Sequence, residues 1–389
     1  MDVTFILTEE CNLRCTYCYQ KNFRRNELPP GTAVAAVRSA VAAGERSLAL
    51  TYFGGEPLLR ADAMFEIQAE ARRLANDAGV SMTAKVPTNG LLLTEEIVRR
   101  SGELGIFISL SFDGVREAQD GGRVRPDGSG SFDDAVRALK LLVAARRPFA
   151  VYSVITPRNV RCLAESRRFL WDAGARLMVS AVDYTAAWDA ASVRELVEQY
   201  EKVGALYRKW LKGREHFHLE PLDSRIAQRT RPRDWRRCCP GITQVTVGPD
   251  GTLYGCVEFF YRRLFPLGTA DGWLDREKVK AFASQQLSGG PEECDSCGVN
   301  DRCTNSCACV NLRTTGASNV PPESVCHTEQ ATILTIDRVA ADLYRRRVPD
   351  FLTRHYSSSY HLLSGIEKLL EEYGVDHEQS VAQPQPVGP

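Results

Sequence analysis

Apolar and polar positions in the first half of the chain follow two alternating patterns. Short apolar runs, typical of buried strands, recur between stretches in which apolar residues return every three to four positions, as on one face of a helix. The runs lie at 3–7, 47–53, 82–89, 106–112, 149–155 and 176–182, and the helical stretches include 33–44, 63–79 and 132–145. Alternating strands and helices predict parallel pairing through right-handed crossovers. Six such units predict an α/β fold, an open, partial (β/α)6 barrel with its chemistry at the carboxyl ends of the strands.

The second half of the chain has a different pattern. The pattern of residues 191–237 predicts a helical bridge whose later part is polar and basic. The pattern of residues 329–347 again predicts a helix. The turn at 248–251, between two short apolar runs, predicts a hairpin. Residues 359–374 predict an amphipathic helix that either packs against the body or docks a partner. The Pro- and Gln-rich tail that follows is predicted to be disordered.

The composition of the chain excludes some classes of function and favours metal binding. The 389 residues include 49 Lys plus Arg and 49 Asp plus Glu, so the bulk charge indicates neither a nucleic-acid nor a membrane partner. The sequence contains no apolar run of ~18 residues and no secretory signal at its start, and we therefore expect a cytoplasmic protein. Disulfides are rare in that reducing compartment. All but one of the 13 cysteines fall within 11–18 and 238–326, which favours ligation of metal by thiolates.

The first cysteine group follows the first predicted strand directly. Cys11, Cys15 and Cys18 can hold three irons of a [4Fe–4S] cube and leave the fourth iron open. An open iron can chelate the amino and carboxylate groups of S-adenosylmethionine, and one-electron reduction then yields a 5′-deoxyadenosyl radical. From the three cysteines alone, a tetrahedral zinc site is the alternative.

The second cysteine group has a longer and more specific spacing. It runs Cys239, eleven residues, Gly251, four residues, Cys256, then Cys294-x2-Cys297-x5-Cys303-x3-Cys307 and, after a gap, Cys326. Because CxxC is also a zinc-binding unit, a pair of zinc ribbons is the alternative here.

Together these motifs carry a resemblance to a known family. The CxxxCxxC segment with Tyr17 before its third cysteine, and the Gly54-Gly55-Glu56-Pro57 turn after the second strand, resemble the radical S-adenosylmethionine (SAM) superfamily. The second group resembles the SPASM domain of radical SAM enzymes that mature ribosomally made peptides. The resemblance covers about residues 3–185 and 238–330. It implies a TIM-like partial barrel (1–190), the bridge (191–237), a SPASM domain (238–330), C-terminal helices (331–374) and a tail (375–389).

The resemblance implies three [4Fe–4S] clusters and bound SAM. One cluster would use Cys11, Cys15 and Cys18. An outer auxiliary cluster would use four cysteines: Cys294, Cys297, Cys303 and Cys326. An inner auxiliary cluster would use Cys239, Cys256 and Cys307, and its fourth ligand stays open. Cys238 is the first choice, an open iron that takes a substrate thiolate is another, and Cys309 is an outside candidate that we interpret as structural.

Residues at the strand ends are the implied SAM contacts. They are Tyr17, Gly54, Gly55, Glu56, Asn89, Ser111 and Arg123. Two of them have structural alternatives, a turn-stabilising side chain for Asn89 and a loop salt bridge for Arg123. Asp113 is ambiguous between a substrate contact and a turn.

By resemblance, the enzyme abstracts hydrogen from a ribosomally synthesised precursor peptide and forms an intramolecular C–C or thioether cross-link, with a net two-electron oxidation. An external donor such as flavodoxin or ferredoxin would supply the electron. Such chemistry needs a base, and Glu258 and Asp183 are the candidates.

Two other functions remain open. One is oxidation or hydroxylation of a peptide or protein side chain, although sulfatase maturases place an aspartate where Val257 follows Cys256 here. The other is a zinc-stabilised interaction protein without catalysis.

Because the chain starts at the first predicted strand, we expect no N-terminal winged domain to hold a leader peptide. The basic stretch 225–237 is a candidate for that role.

Overall fold

A computed structural model describes residues 1–20, 23–213, 216–230, 240–286, 290–304 and 307–357. Three sets of predictions lie outside these residues. They are the ligand roles of Cys238 and Cys239, the part of the basic stretch at 231–237, and the amphipathic helix at 359–374 with its tail.

The six apolar runs of the first half form six strands that pair in parallel and in chain order. The strands are β1 (Asp2–Thr8), β2 (Ser47–Gly54), β3 (Ser81–Thr88), β4 (Ile106–Ser111), β5 (Phe149–Ile155) and β6 (Leu177–Val182). Val3, Phe5, Ile6 and Leu7 of β1 are fully buried, as expected for a strand covered on both faces. The predicted partial α/β barrel is confirmed.

Five shorter strands extend this sheet at both ends. They are β7 (His218–Leu219), β8 (Gln244–Val247), β9 (Thr252–Tyr254), β10 (Pro266–Thr269) and β11 (Trp273–Leu274). The hairpin predicted around 248–251 is confirmed as the antiparallel pair β8–β9. Its first strand pairs in parallel with β1, so the described strands form one sheet in the order β11-β10-β9-β8-β1-β2-β3-β4-β5-β6-β7. The cysteine-rich region is therefore joined to the barrel edge by backbone hydrogen bonds.

Helices cover the sheet, and further helices follow in the second half of the chain. In the barrel they are α1 (Pro30–Ala42), α2 (Ala61–Asp77), α3 (Glu95–Glu103), α4 (Arg116–Gly122), α5 (Phe132–Ala144) and α6 (Leu163–Asp172). After it come α7 (Ala190–Leu211), α8 (Leu222–Thr230), α9 (Val257–Arg262), α10 (Arg276–Gln286), α11 (Glu292–Asp295), α12 (Ala308–Thr315), α13 (Glu323–Arg345) and α14 (Pro349–Tyr356). Local sequence sets the start of several: Pro30 occupies the first turn of α1, and the Asp189 carboxylate caps α7 by accepting from Ser192 N.

Two hydrophobic cores position the cysteine regions. The larger core fills the space between the barrel strands and their helices and extends to α13 and α14. A smaller core, built around Phe259, Leu267, Phe282, Ala308 and Cys309, lies in the cysteine-rich region. In the described part of the chain, the helices are too short or too polar to cross a membrane.

Candidate active site

A cavity of about 660 Å³ opens at the carboxyl ends of the barrel strands. The barrel lines it with the cysteine loop after β1, the turn after β2 and the ends of β3 to β6. The cysteine-rich region contributes the opposite wall, from α9 and α12. Its lining includes Cys11, Cys15, Tyr17, Cys18, Gly54, Gly55, Glu56, Asn89, Ser111, Arg123, Asp183, Glu258, Tyr261 and Arg313. Every residue predicted to bind SAM, and both candidate bases, thus lie on one cavity.

The three cysteines of the first group share one loop of this cavity. Backbone bonds from Arg14 N to Val124 O (2.7 Å) and from Thr16 N to Gly122 O (2.8 Å) fix the loop against the segment after α4. Burial raises the pKa of the Cys11 thiol to about 12 and that of Cys15 to about 11. Thiolates are therefore costly here unless a cation compensates them. A bound iron–sulfur cluster would supply that charge, and this donor set fits one held by Cys11, Cys15 and Cys18.

The close packing of the turn after β2 against the cysteine loop explains why residues 54 and 55 are glycines. The Gly55 N–H donates to Thr8 O at 2.8 Å, and the Glu56 N–H donates to Glu10 O at 2.9 Å. A Cβ at Gly55 would overlap the carbonyl oxygen of Glu10, and one at Gly54 would overlap that of Thr8. The glycines thus allow the turn after β2 to pack against the backbone that leads into Cys11.

Glu56 is buried and already holds three donors. Its Oε1 accepts from Leu58 N (3.0 Å) and Thr88 Oγ1 (2.7 Å), and its Oε2 accepts from Asn89 N (2.9 Å). Burial raises the pKa of Glu56, and these hydrogen bonds oppose the rise. A carboxylate offers about four acceptor positions, so this group has capacity left for the ammonium of a methionine moiety.

Asn89 and Ser111 lie at the ends of neighbouring strands. The Asn89 side chain accepts from Leu91 N at 3.0 Å, which is the turn-stabilising role left open by the sequence. Its amide also donates to Asn12 Oδ1 at 2.7 Å and so links the end of β3 to the cysteine loop. Ser111 ends β4 and lines the cavity.

Tyr17, Asp113 and Arg123 form a buried network beside Cys15. The Tyr17 hydroxyl donates to Asp113 Oδ2, while Arg123 Nη2 lies 3.1 Å from Asp113 Oδ1. The Asp113 carboxylate also accepts from Val154 N at 3.0 Å, so its role is to hold the network. The Arg123 Nε is buried and has no partner among the described residues. That orphan donor fits a ligand carboxylate in the cavity.

The cysteine-rich region brings together thiols from distant segments. The Sγ of Cys309 lies 3.6 Å from the Sγ of Cys256 and 3.5 Å from that of Cys307. The contact with Cys309 lowers the pKa of Cys307 to about 7. As the described side chains stand, no three His, Cys, Asp or Glu residues enclose a metal-sized position. Cluster binding therefore requires these sulfurs to rotate apart.

Three of the four predicted outer ligands lie within electrostatic range of one another. Burial raises the pKa of Cys326, and the nearby Cys294 and Cys297 thiols add to the rise. Consecutive turns, with Cys297 N bonded to Cys294 O and Asn300 N to Cys297 O, lead from this pair toward Cys303.

Glu258 and Asp183 face the cavity from its two walls. Glu258 Oε1 lies 3.2 Å from Arg313 Nη1. Burial raises the pKa of Glu258, Arg313 opposes the rise, and the negative charge of Asp183 adds to it. Asp183 Oδ1 accepts from Thr185 N (2.9 Å) and from its hydroxyl (2.6 Å). The two carboxylates are thus close enough to affect each other.

Sequence reasoning missed several residues of this region. Arg225, the first residue of the basic stretch 225–237 that was the candidate to hold a leader peptide, is buried, with its Nη2 2.6 Å from Glu329 Oε2. Glu329 also accepts from the hydroxyl of Tyr184, at the end of β6. Arg225 therefore cannot serve a leader peptide, and residues 231–237 of that stretch lie outside the described chain. The sequence signal for this pair is an acidic residue, Glu329, on the face of α13 that also carries Val325 and Ile333.

An aromatic pair lies close to thiols of both cysteine groups. The rings of Tyr19 and Tyr261 have centroids 5.6 Å apart, and both residues line the cavity. The Tyr261 hydroxyl is buried, with no hydrogen-bond partner among the described residues. Neither tyrosine belongs to a motif, so no sequence pattern predicts this contact.

Comparisons with known proteins agree with this arrangement. Residues 5–170 match the family model of the radical SAM superfamily. The chain is 29% identical over 350 residues to mycofactocin maturase MftC of Mycobacterium tuberculosis, covering 85% of this chain and 84% of that protein. It is 27% identical over 321 residues to the serine-type anaerobic sulfatase-maturating enzyme of Klebsiella aerogenes, covering 76% of each.

Two solved structures share the fold. Native anSMEcpe with bound AdoMet and Cp18Cys peptide has a TM-score of 0.75 at 17% identity and covers 89% of this chain and 99% of its own. Streptococcus suis SuiB bound to precursor peptide SuiA has a TM-score of 0.56 at 17% identity, covering 84% and 75%. Residues 5–170 therefore match the radical SAM superfamily, and most of the chain is similar to mycofactocin maturase MftC.

Proposed function

We propose that this chain is a peptide maturase that forms an intramolecular C–C or thioether cross-link in a ribosomally synthesised precursor. One observation carries the proposal. A single cavity is bounded on one wall by the Cys11–Cys18 loop and on the other by Glu258, two residues after Cys256. A peptide side chain that enters this cavity meets the radical-generating side and a carboxylate from the auxiliary side together.

The residues on the barrel wall would hold SAM. Arg123 offers a buried, unpartnered Nε to the cofactor carboxylate, and Glu56 retains acceptor capacity for its ammonium. Tyr17, Gly54, Gly55, Asn89 and Ser111 shape the remaining wall. When bound, the iron–sulfur clusters and SAM would supply the radical that takes the first hydrogen from the peptide. They would also supply an acceptor for the electron that remains when the second hydrogen leaves as a proton.

Removal of the second hydrogen also releases a proton, and we assign its acceptance to Glu258. The side chain is largely buried and paired with Arg313, so its carboxylate is held at the wall of the cavity. Asp183 is the second candidate, from the barrel side. A general base must lie within hydrogen-bond reach of the proton that it takes, and both side chains face the space a substrate would occupy.

The implied partners and context follow from this activity. SuiB and anSMEcpe were each solved with a peptide, which supports a peptide substrate here. We propose a cytoplasmic enzyme with three [4Fe–4S] clusters, an external donor such as flavodoxin or ferredoxin, and the division into barrel, bridge and SPASM domain at 190 and 237.

The test is anaerobic reconstitution with short peptides encoded beside the gene. We expect consumption of SAM and a product that weighs two hydrogens less, with a cross-link visible in fragmentation spectra. Glu258→Gln keeps the size of the side chain but removes the base, and we expect cofactor cleavage to continue while cross-linking falls by about 10²-fold or more. A product of unchanged mass with the matching peptide would refute cross-linking.

Oxidation of a single side chain is the second candidate. It is supported by the similarity to the sulfatase-maturating enzyme and by the shared fold of anSMEcpe. Against it stands Val257, where an aspartate would be expected. A product two hydrogens lighter whose fragmentation spectrum remains linear would decide for this alternative.

A further inference from the structure

A row of polar side chains lines the part of the cavity that lies nearer the amino ends of the barrel strands. The row consists of Thr4 of β1, Thr51 of β2 and Lys85 of β3. These residues stand side by side across the sheet, because Thr4 pairs with Thr51 and Thr51 pairs with Lys85. Neighbouring strands lie about 4.8 Å apart. Two hydroxyls and an ammonium therefore share one stretch of the inner barrel wall.

Lys85 occupies an unusual position for a lysine. The strand β3 is an interior strand of the sheet, paired with β2 on one side and with β4 on the other. Ala84 and Val86, which flank Lys85, are buried in the large core, and alternation along the strand directs Lys85 to the opposite face, where it lines the cavity. Parallel strands covered on both faces are normally apolar. An ammonium on such a strand indicates that the inner face receives polar or charged groups.

Lys85 differs from the arginines of this cavity because it has no counter-charge. Arg123 is paired with a carboxylate at 3.1 Å, and Arg313 is paired with another at 3.2 Å. The Lys85 ammonium forms no ion pair within 4.0 Å and no hydrogen bond with any of the described residues. Asp2 lines the same cavity, but it precedes Thr4 by two residues and so lies one layer nearer the amino ends of the strands. The positive charge of Lys85 is thus available to an anion that enters the cavity.

The distance from Lys85 to the radical-generating side suits a short piece of peptide. Lys85 precedes Thr88 by three residues on β3, and the Thr88 hydroxyl donates to Glu56 at 2.7 Å, where the SAM ammonium is predicted to bind. Three residues of a strand span about 10 Å. An extended peptide advances by about 3.3 to 3.6 Å per residue, so a group bound to Lys85 and a carbon attacked from the SAM side lie within about three residues of each other.

We propose that Lys85 binds a carboxylate of the peptide substrate and so selects peptides with an acidic group close to the modified residue. The Thr51 hydroxyl, beside it on the wall, donates to the same carboxylate. This inference rests on the proposed function, because the anions of a ribosomal peptide at neutral pH are the side chains of Asp and Glu and the C-terminal carboxylate. A Lys ammonium recognises either source as a point charge. Lys85 then determines specificity, separately from the base Glu258 and from the residues that would hold SAM.

The test measures binding and not turnover. Two pools of randomised octapeptides, one with free C-termini and one with C-terminal amides, are passed over the immobilised, reconstituted full-length protein with SAM and without reductant. Retained peptides are identified by mass spectrometry. If the C-terminal carboxylate is the ligand, we expect wild type to retain the free-acid pool about tenfold or more over the amidated pool. If a side chain is the ligand, members of the amidated pool that contain Asp or Glu should be enriched to a similar extent.

Variants of Lys85 show whether this residue causes the preference. Lys85→Met removes the charge and should abolish the preference, Lys85→Arg keeps the charge and should retain it, and Lys85→Glu should reverse it in favour of Lys- and Arg-containing peptides. The matched control is Lys140→Met, which removes an exposed lysine of α5 outside the cavity and should behave as wild type. Circular dichroism and iron content verify the fold of each variant, and Lys85→Gln carries the same readout if Lys85→Met does not fold.

Several results would overturn the proposal. They are equal retention of acidic and neutral peptides by wild type, no retention at all, a preference that survives in Lys85→Met, and an equal loss of preference in Lys140→Met. Failure of the proposed function gives a different result, since wild type would then select acidic peptides but leave the peptide encoded beside the gene unmodified. A wild type that cross-links that peptide without any preference for acidic groups would refute the role of Lys85 alone.

Discussion

The two cysteine sites of the molecule are built in opposite ways. Cys11, Cys15 and Cys18 come from one eight-residue loop, which the backbone of neighbouring turns holds in place. Cys256 and Cys309 are 53 residues apart and meet only because α9 and α12 share a small hydrophobic core. The first site therefore depends on close backbone packing, and the second depends on tertiary contacts that join separate segments.

This difference predicts that each site can be removed without the other. The largest effect is expected when Cys11, Cys15 and Cys18 are all replaced by Ala. Cleavage of SAM should fall to background, while about eight of about twelve irons remain in the auxiliary region. Iron analysis and detection of 5′-deoxyadenosine measure the two parts separately. Cleavage that persists in this variant would show that the radical-generating site has been wrongly assigned.

A second prediction concerns a substitution that disturbs the backbone packing on which the first site depends. In Gly55→Ala the new Cβ overlaps the Glu10 carbonyl, so the loop that leads into Cys11 must shift. We expect SAM cleavage to fall at least tenfold, because a misplacement of about 1 Å near reacting groups can cost 10²-fold. The control is Gly31→Ala, whose Cβ would meet no atom within 4 Å. Equal activity in the two variants would show that the loop does not depend on this contact.

The same difference explains what the sequence could predict. The strand periodicity and the spacing of Cys11, Cys15 and Cys18 are local, and the barrel and the cysteine loop follow from them directly. The role of Gly55 was predicted only as close approach to a ligand. Its partner is a carbonyl of another segment, which no local pattern identifies.

Non-local contacts account for the other differences. The β8 strand extends the barrel sheet because it pairs with β1, more than 230 residues earlier. Cys309 follows Cys307 by two residues but belongs to no spacing motif, and the sequence does not predict that its sulfur lies beside that of Cys256. Arg225 looks like part of a basic linker until Glu329 is brought to it by the packing of α8 against α13.

A third prediction concerns a substitution that destabilises the auxiliary side and leaves the barrel loop intact. Glu329 joins Arg225 of α8, Tyr184 at the end of β6 and Thr304 N next to Cys303. Glu329→Gln leaves Arg225 buried without its counter-charge, which costs about 3 to 5 kcal/mol where such pairs are broken. We expect a lower unfolding temperature and loss of auxiliary iron, with the first cluster retained.

The matched control for this variant is Glu201→Gln, because Glu201 forms an exposed pair with Arg338 of the same helix α13 at 3.2 Å. Exposed pairs contribute about 0 to 1 kcal/mol. Equal destabilisation by the two substitutions would contradict a special role for the buried pair. Loss of SAM cleavage before auxiliary iron would contradict the separation of the two sites.

The smallest effect is expected from a change of pH. It acts through the face of α8 that lies opposite Arg225. His218 Nε2 lies 2.7 Å from Glu220 Oε1, and its ring also faces Asp223, which pairs with Arg354 and His355 of α14. Burial works to lower the pKa of His218, but the Glu220 hydrogen bond and the charge of Asp223 raise it above its ordinary value, against the opposing charge of Arg354. The protonated ring thus helps to hold α8.

The sign of the pH dependence follows from this raised pKa. The stabilisation is fully present below the unfolded pKa of about 6.5 and is lost as the pH rises through the folded pKa. We expect the unfolding temperature and the retention of auxiliary iron to decline on that alkaline side, while the first cluster declines less. His218→Gln should flatten the decline, whereas His216→Gln should not. Because α8 carries Asp223 on one face and Arg225 on the other, an unchanged slope in His218→Gln would mean that this helix does not link the bridge to the auxiliary site.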